Sequence, residues 1–514
     1  MLIVLGRAAA APGHRTRLVD AARAVTAATR SDDGCISYVF ATDLDEPDVV
    51  VSVEVWRDQG ALDAHMAHDH TREFLAAVGG LVTGEPVMSI HDVPDPARAG
   101  RPPALIPMRR PAMTTRPRSR VPGRVAVLGA GPAGMAAALG AIKAGHDVVV
   151  YERYREARPA GNILNLWPPP LKALRSLGVD TDDLGAPTDS EFRNLAGKVR
   201  VRVRLDDDVK REYGGGFIGL LRPELYERML AAIPPGTIRF GSQVERIEQD
   251  DRAVTLTFAD GSTAEHDVLV GADGIDSLVR RTLWGDAPKR EHRLHIFGGF
   301  TFADVPGTEP NKCVLTHSRT VQGSWTSIRN RGRDGQQWWV LTATDPDAPA
   351  PADLKAAAGA LAAGFPAPLP GLIAATDPGD VQRWVLRDRP ALRQWSRGRT
   401  TLVGDAAHPT SPYAAYGAGM SIEDGYFLGR ALTGVDLSDA AAVSRALQSY
   451  EDPRKPHTAR QVQQAYLLGK VFHHAPAPLR PLRDLVFDNT PLLQKVAGDT
   501  NPREIAKQLA LMTD

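Results

Sequence analysis

Apolar and polar positions alternate with a clear period at the start of the chain. LIVLG (2–6) reads as a strand, and HRTRLVDAARAVTAATR places Leu18, Val25 and several alanines at helical spacing. CISYVFAT is strand-like, DLDEPD turns the chain, and VVVSVEVW is a second strand with Val49, Val51, Val53 and Val55 on one face and Glu54 and Trp56 on the other. QGALDAHMAHDHTREFLAAVG is helical with a break expected near Asp69, and VMSIHDV closes the unit. The order β-α-β-β-α-β predicts a ferredoxin-like domain over residues 1–93. The next stretch, 94–122, has no apolar period and is rich in proline and arginine, which predicts a semi-rigid linker.

A larger domain is expected over 123–474, followed by a helical segment over 475–514 that includes PREIAKQLALMTD. The larger domain opens with a strand, a glycine turn and an apolar helix, GRVAVLGAGPAGMAAAL. Farther on, KVRVRVRL alternates with Arg200, Arg202 and Arg204 on one face, and HRLHIFGGFTFADV and GQQWWVLTAT are also strand-like. The predicted class is therefore α+β and α/β: a ferredoxin-like domain, then a Rossmann-type domain with an inserted, mainly antiparallel sheet.

Composition narrows the function classes. The chain has 514 residues, enough for two or three domains, with Lys+Arg and Asp+Glu both 61. That neutrality gives no case for a nucleic-acid partner. No apolar run approaches the roughly 20 residues of a membrane span. Two cysteines, Cys35 and Cys313, make no disulfide framework, so a reducing cytoplasm is the default expectation.

The glycine turn carries the first chemistry. Gly129, Gly131 and Gly134, with Pro132 and Ala133 between, have the G-x-G-x-x-G spacing. The first glycine permits the tight turn, the second lets backbone approach a pyrophosphate, and the third lets helix pack on strand. Glu152 ends the next strand, DVVVYER, and is followed by Arg153. A carboxylate there accepts hydrogen bonds from a ribose and repels a 2′-phosphate, which suits FAD or NAD. GGGFIG repeats the spacing at Gly214, Gly216 and Gly219, but the polar DDDVKREY precedes it, so it is read as a turn.

Three further motifs follow in order: Arg222 in LLRPELYERML, Asp273 and Gly274 in DVLVGADGIDSLVRR, and Gly404 and Asp405 in GRTTLVGDAAHPTSPYAAYGAGMSIEDG. Together the four motifs resemble those of the group A flavoprotein aromatic hydroxylases, the p-hydroxybenzoate hydroxylase family. The resemblance implies that Glu152 binds the adenosine ribose and that Arg222 contacts FAD. It further implies that Asp273 lies near the pyrophosphates, that Asp405 binds the ribityl chain, and that Pro412, Gly417, Gly419 and Met420 lie against the isoalloxazine. Read on their own, Asp273 and Asp405 are equally helix caps. One departure stands out: where the family has G-Q-G followed by Asn, this chain reads Tyr416-Gly417-Ala418-Gly419-Met420-Ser421. GNILNLWPPPLKAL, around Trp167, either shapes the flavin environment or starts a helix at Pro170.

The implied reaction uses NADH or NADPH as a transient co-substrate, reduces FAD, forms a flavin C4a-hydroperoxide with O₂, and hydroxylates a phenol-like ring, plausibly in natural-product metabolism. In the family, strands between the flavin motifs roof the active site. His295, Phe297, Trp325 and Trp338 are thus substrate candidates, and Pro412, Tyr413 and His295 candidates for the catalytic shell. His408 is read as structural. No W-x-W-x-I-P segment supports a halogenase, and a non-catalytic flavin scaffold is the remaining alternative.

Residues 1–93 resemble the antibiotic biosynthesis monooxygenase (ABM) domains, some of which oxidise phenols without a cofactor. The first strand lacks the Asn of haem-degrading members, so haem is not expected. Glu54, Trp56 and His65 are candidates to line a small cavity. No metal site is expected: His65 and Asp69 share a helix face, but His68 should point elsewhere. The domain is expected to pair two chains through its open sheet face, the alternative being a second oxidation or product-processing step.

Overall fold

The computed structural model describes residues 2–42, 46, 48–92, 123–158 and 163–512. The expected linker, 94–122, lies outside the described residues. The chain divides into two compact units, Met1–Thr115 and Arg116–Asp514.

The first unit runs β1 (Leu2–Ala10), α1 (Arg15–Thr29), β2 (Cys35–Thr42), β3 (Val49–Trp56), α2 (Gln59–Ala67), α3 (Asp69–Val78) and β4 (Val82–Asp92). Its sheet has the order β2-β3-β1-β4, all antiparallel, as a ferredoxin-like unit requires. On β3 the face turned to the helices carries Ser52, Glu54 and Trp56, all buried, whereas Val53 is exposed. The two helices are separate, and His68 stands between them in extended backbone (φ −68, ψ 148).

The second unit is built on a parallel sheet. Its first strand, β5 (Arg124–Leu128), leads through the glycine turn into α4 (Pro132–Lys143) and then β6 (Asp147–Glu152). Strands 238–240, β6, β5, 268–271 and 400–402 lie side by side in parallel, with 396–397 antiparallel at the edge. The helix Gly417–Leu432 and α4 bury most of their residues together in one large core. A nine-stranded sheet follows, ordered 382–388, 290–301, 333–343, 321–330, 312–317, 186–194, 217–221 and 163–166, with 199–203 added on 186–194. It is mainly antiparallel; the pair 312–317 and 186–194 is parallel.

The segment Pro168–Ser176 is a helix that begins at Pro168, two residues before the expected Pro170, with Trp167 as its cap residue. Proline at the first helical position needs no N–H partner, so the run of three prolines starts the helix rather than following its start. Gly214, Gly215 and Gly216 all have positive φ in a turn ahead of strand Phe217–Leu221. The decoy glycines thus enter a strand, with no helix N-terminus to face an anion. The long helix Ala440–His473 and the helices Arg480–Asn489 and Thr500–Leu511 complete the unit.

Candidate active site

The turn between β5 and α4 shows why glycine recurs. Gly129 has φ +105, and a Cβ there would stand 2.6 Å from the Ala272 carbonyl oxygen. Gly131 differs: its φ is ordinary and nothing lies within 4 Å of where a Cβ would be. The protein itself does not require glycine at 131, so the open space in front of it is available to a ligand. Gly131 caps α4 without a side-chain hydrogen bond, which leaves the first backbone N–H groups of the helix facing that space.

Glu152, at the end of β6, holds the turn. Its Oε2 accepts from the Ala130 N–H at 2.8 Å and its Oε1 from the Tyr154 N–H at 2.9 Å. Arg153 is exposed, and its guanidinium lies over the Tyr154 ring at 5.0 Å. Asp273 caps the helix Leu278–Trp284 through Oδ2, which accepts from Leu278 N–H at 2.6 Å. Its Oδ1 is buried with no partner, and burial raises the carboxyl above the usual range. The carboxyl thus serves the start of that helix, where Ser277 and the Leu278 and Val279 N–H groups stabilise it against burial.

A cavity of about 380 Å³ extends from this turn to the nine-stranded sheet. Gly131, Pro132, Ala133, Arg222, Gly274 and Asp405 line one end. Asp405 is exposed to the cavity, yet the surrounding protein mass raises its carboxyl despite Arg222 and His408. The segment Thr410–Ala418 and Ser421 form a wall. Met420 and Gly419 are buried and do not line the cavity. Met420 packs with Trp167, Tyr416 and Phe472, while Ser421 Oγ donates to the Gly417 carbonyl at 2.9 Å and lines the wall. The Tyr416 ring stacks on Trp167 at 4.1 Å.

On the sheet side the lining is Leu164, Asn165, Phe192, Ile296, Leu315, His317, Gln322, Trp339 and Leu341. His295, Phe297, Trp325 and Trp338 sit on the opposite face. Phe297, Trp325 and Trp338 pack beneath helices Leu354–Ala362 and Leu369–Ala375, and Trp338 Nε1 donates to Thr376 Oγ1 at 2.8 Å. His295 Nδ1 accepts from Arg383 at 2.7 Å. The pleat is the reason: side chains alternate across a strand, so these four share one face and their neighbours Ile296 and Trp339 the other. Of the catalytic candidates, Pro412 and Tyr413 line the cavity and His295 does not.

His317 Nε2 lies 3.2 Å from Tyr413 Oη, and both groups face the cavity. Burial holds the His317 imidazole well below its usual value and the Tyr413 phenol well above. His317 and Gln322 are register partners across the hairpin, and the Gln322 side chain hydrogen-bonds the buried imidazole, which partly offsets the effect of burial. Sequence reasoning missed both residues; THSRTVQGSW carries them across a hairpin that places them opposite one another.

Beneath the wall lies a second feature absent from the sequence reading. Arg454 Nη1 donates to Glu423 at 2.7 Å and its Nε to Asp424 at 2.9 Å, with all three side chains buried. Asp424 Oδ2 also accepts from the Gly404 N–H at 2.8 Å and pairs with His408 Nε2 at 2.6 Å. Tyr416 Oη donates to Glu423. His408 thus supports the turn that presents Asp405. The available signal was the adjacent pair Glu423-Asp424 in an otherwise apolar helix.

The profile of the FAD binding domain family matches residues 123–465. The chain belongs to the FAD-dependent aromatic hydroxylases. A second profile, antibiotic biosynthesis monooxygenase, matches residues 1–77. The chain is 33% identical over 352 residues to the 6-hydroxynicotinate 3-monooxygenase of Bordetella bronchiseptica, covering 66% of this chain and 89% of that protein. It is 31% identical over 379 residues to a 3-amino-4-hydroxybenzoate 2-monooxygenase of Streptomyces platensis, covering 70% and 91%. The structure of Klebsiella pneumoniae HpxO with FAD and uric acid is similar over 74% of this chain and 96% of that one, with 26% identity and a TM-score of 0.65. As a member of the hydroxylase family the chain is a flavin-dependent monooxygenase with FAD as cofactor, NADH or NADPH as co-substrate, and an aromatic substrate oxidised with O₂. No helix among the described residues is long and apolar enough to cross a membrane.

Proposed function

We propose that this hydroxylase acts on an uncharged hydroxyarene, a phenol or hydroxylated N-heterocycle, and that His317 takes the hydroxyl proton. The observation that carries the reading is the lining. On the sheet side six apolar side chains, Leu164, Phe192, Ile296, Leu315, Trp339 and Leu341, surround the polar His317, Gln322 and Asn165. Among the described lining residues Arg222 is the one Lys or Arg, and it stands at the glycine-turn end. A ring bearing a carboxylate would have no cation to meet beneath the sheet. A neutral ring with one hydroxyl meets an apolar slot and a single polar pair, His317 with Gln322.

The residues fit FAD. The open space before Gly131 and the cavity-facing Arg222 and Asp405 line one end of the same cavity, with Gly274, next to Asp273, beside them. Glu152 would take the adenosine ribose, the α4 N-terminus with Pro132 and Ala133 the pyrophosphate, Arg222, Asp273 and Asp405 the phosphates and ribityl chain, and Pro412 and Gly417 the ring system. Arg153, exposed and stacked on Tyr154, would border the adenosine. When bound, FAD passes reducing equivalents from the nicotinamide to O₂ and supplies one oxygen atom to the substrate ring. The chain's part is to seat the ring against Trp339 and Leu341 and to present His317, oriented by the contact of its Nε2 with Tyr413 Oη at 3.2 Å, as the group that takes the hydroxyl proton. Deprotonation makes the ring electron-rich, and the apolar walls exclude water. Both relatives are named for hydroxyarenes that carry a carboxylate, so the neutral ring proposed here departs from them; the Streptomyces relative and the ABM match support a place in natural-product metabolism.

The test oxidises NADH and NADPH against paired phenols, hydroxypyridines and hydroxybenzoates. A neutral hydroxyarene should accelerate turnover and gain one oxygen. His317→Gln should lower kcat and flatten its pH profile while FAD content stays unchanged. A strict preference for a carboxylated ring overturns the substrate class.

The N-terminal unit is proposed to assemble the protein through a second copy. Leu5, Val53 and Val39 are register neighbours across three strands and each is 41% exposed. The Arg7–Glu46 ion pair, at 2.7 Å, borders this apolar centre, which is the layout of an interface core and rim. One face meeting its own copy gives a closed two-fold dimer. Val53→Asp should halve the mass measured by light scattering.

A further inference from the structure

The break between α2 and α3 rearranges three histidines. On one continuous helix, residues five apart point about 140° away from each other. The extended backbone at His68 removes that constraint and turns both His65 and His70 onto Asp32, in the turn after α1. Asp32 Oδ2 lies 2.8 Å from His65 Nδ1 and 3.1 Å from His70 Nε2. One donor atom from each of the three residues lies within 4.8 Å of the others. His68 Nε2 is 3.8 Å from Asp32 Oδ1, and its ring stacks on His70. The side chains of Asp32 and His65 are 8% and 2% exposed, those of His70 and His68 27% and 47%. The cluster has a dry floor and an open mouth.

We propose that Asp32, His65 and His70 bind a divalent first-row transition metal ion of the zinc class, with His68 closing the fourth position. One carboxylate with two or three imidazoles is the donor set such ions take. At bond lengths of about 2.0–2.2 Å, neighbouring ligands of a tetrahedral ion stand roughly 3.3–3.6 Å apart. The present spacings of 2.8 and 3.1 Å reach that by opening a few tenths of an ångström, with His70 and His68 free to move at the exposed side. The protons balance. Each neutral ring carries one proton, which shifts from the ligating nitrogen to the other; in His65 it moves from Nδ1 to Nε2, where Thr71 Oγ1, now 3.3 Å from Nδ1 and 3.5 Å from Nε2, is the acceptor. Such an outer hydrogen bond fixes the tautomer of a ligating imidazole. Trp56, with ring centroid 4.5 Å from that of His65, and Tyr38, at 5.5 Å, hold the ring plane.

Untagged full-length protein, stripped with chelator, is titrated with Zn²⁺ in a calorimeter, and Co²⁺ absorption reports the ligand set. The wild type should bind one ion per chain. His70→Ala and Asp32→Asn should weaken binding by at least the roughly 10–100-fold that loss of an outer-shell partner costs. His68→Ala should weaken it less, and Asp69→Ala, which removes an exposed carboxylate beside the cluster, not at all. His70 is partly exposed, so its variant keeps the fold, and unchanged FAD content and circular dichroism check this. Equal affinity in the wild type and His70→Ala, or no uptake by either, overturns the proposal and leaves a hydrogen-bond cluster that fixes the helix break.

Discussion

Arg454→Met removes the cation from beneath the flavin-side wall, and the structure sets what that costs. The guanidinium makes four hydrogen bonds: to Glu423, Asp424, Gln508 and the Met420 carbonyl, at 2.7, 2.9, 3.2 and 3.1 Å. Burial works to raise the Asp424 carboxyl, but His408 and Arg454 outweigh it and hold it below the usual value. Methionine fills much of the volume, so packing changes little and the loss is electrostatic. Removing one partner of a buried pair leaves the other charge unpaired, about 3–5 kcal/mol. Four bonds at roughly 1.5–3 kcal/mol each would exceed that. They do not add, because one carboxyl takes up a proton once the cation is gone. Urea unfolding followed by flavin fluorescence, with FAD content measured in parallel, reads both consequences. FAD occupancy should fall with stability, because Asp424 also holds the Gly404 N–H ahead of Asp405. Neutralising the partners as well, in Arg454→Met/Glu423→Gln/Asp424→Asn, should recover part of the loss. A single variant within about 1 kcal/mol of wild type, or a triple variant less stable than the single, refutes the reasoning.

Gly131→Ala should leave the apoprotein's stability unchanged and weaken FAD binding by roughly 1–3 kcal/mol, because only a ligand occupies that space. Gly216→Ala should do the reverse, since its φ of +88 and the nearby Leu205 strain any side chain while no ligand end faces it. Trp338→Ala should destabilise by about 3–5 kcal/mol without altering substrate choice, whereas Trp339→Ala should raise KM; equal KM effects would mean the faces are misassigned. Burial lowers His266 and His473 from 6.5 to about 4. The unfolded chain therefore takes up protons first, so the stability these groups contribute is intact above about pH 6.5 and lost as pH falls towards 4. Thermal midpoints measured across that window should decline; a flat profile would contradict it.

The elements were legible because each is a local pattern. The glycine turn, the alternating strands and the ferredoxin-like order all follow from periods of 2 and 3.6 within short windows. What failed was relational. Alternation correctly groups His295 with Phe297, and Trp325 pairs with Trp338 across strands, yet period alone does not say which face meets the cavity. A flanking pair of alanine- and leucine-rich helices, 354–362 and 369–375, covers that face and turns its tryptophans into core. Asp32 likewise joins His65 and His70 only because the helix breaks at His68 itself, one residue before the expected place.

The departure at Met420-Ser421 bears on whether the flavin wall is intact. A family Asn would brace this turn with an amide; here the bracing comes from below. Tyr416 Oη is anchored on Glu423, Glu423 on Arg454, and the Tyr416 ring on Trp167. Met420, fully buried among the same aromatics, supplies apolar contact where an amide would need partners. Ser421 Oγ closes the turn on the Gly417 carbonyl. The residues that changed and the ion cluster that supports them therefore form one unit, with Met420 packed among aromatics and Ser421 bonded within its own helix. The loss of Asn is thus compensated within the fold, and a non-catalytic scaffold is not needed to explain it.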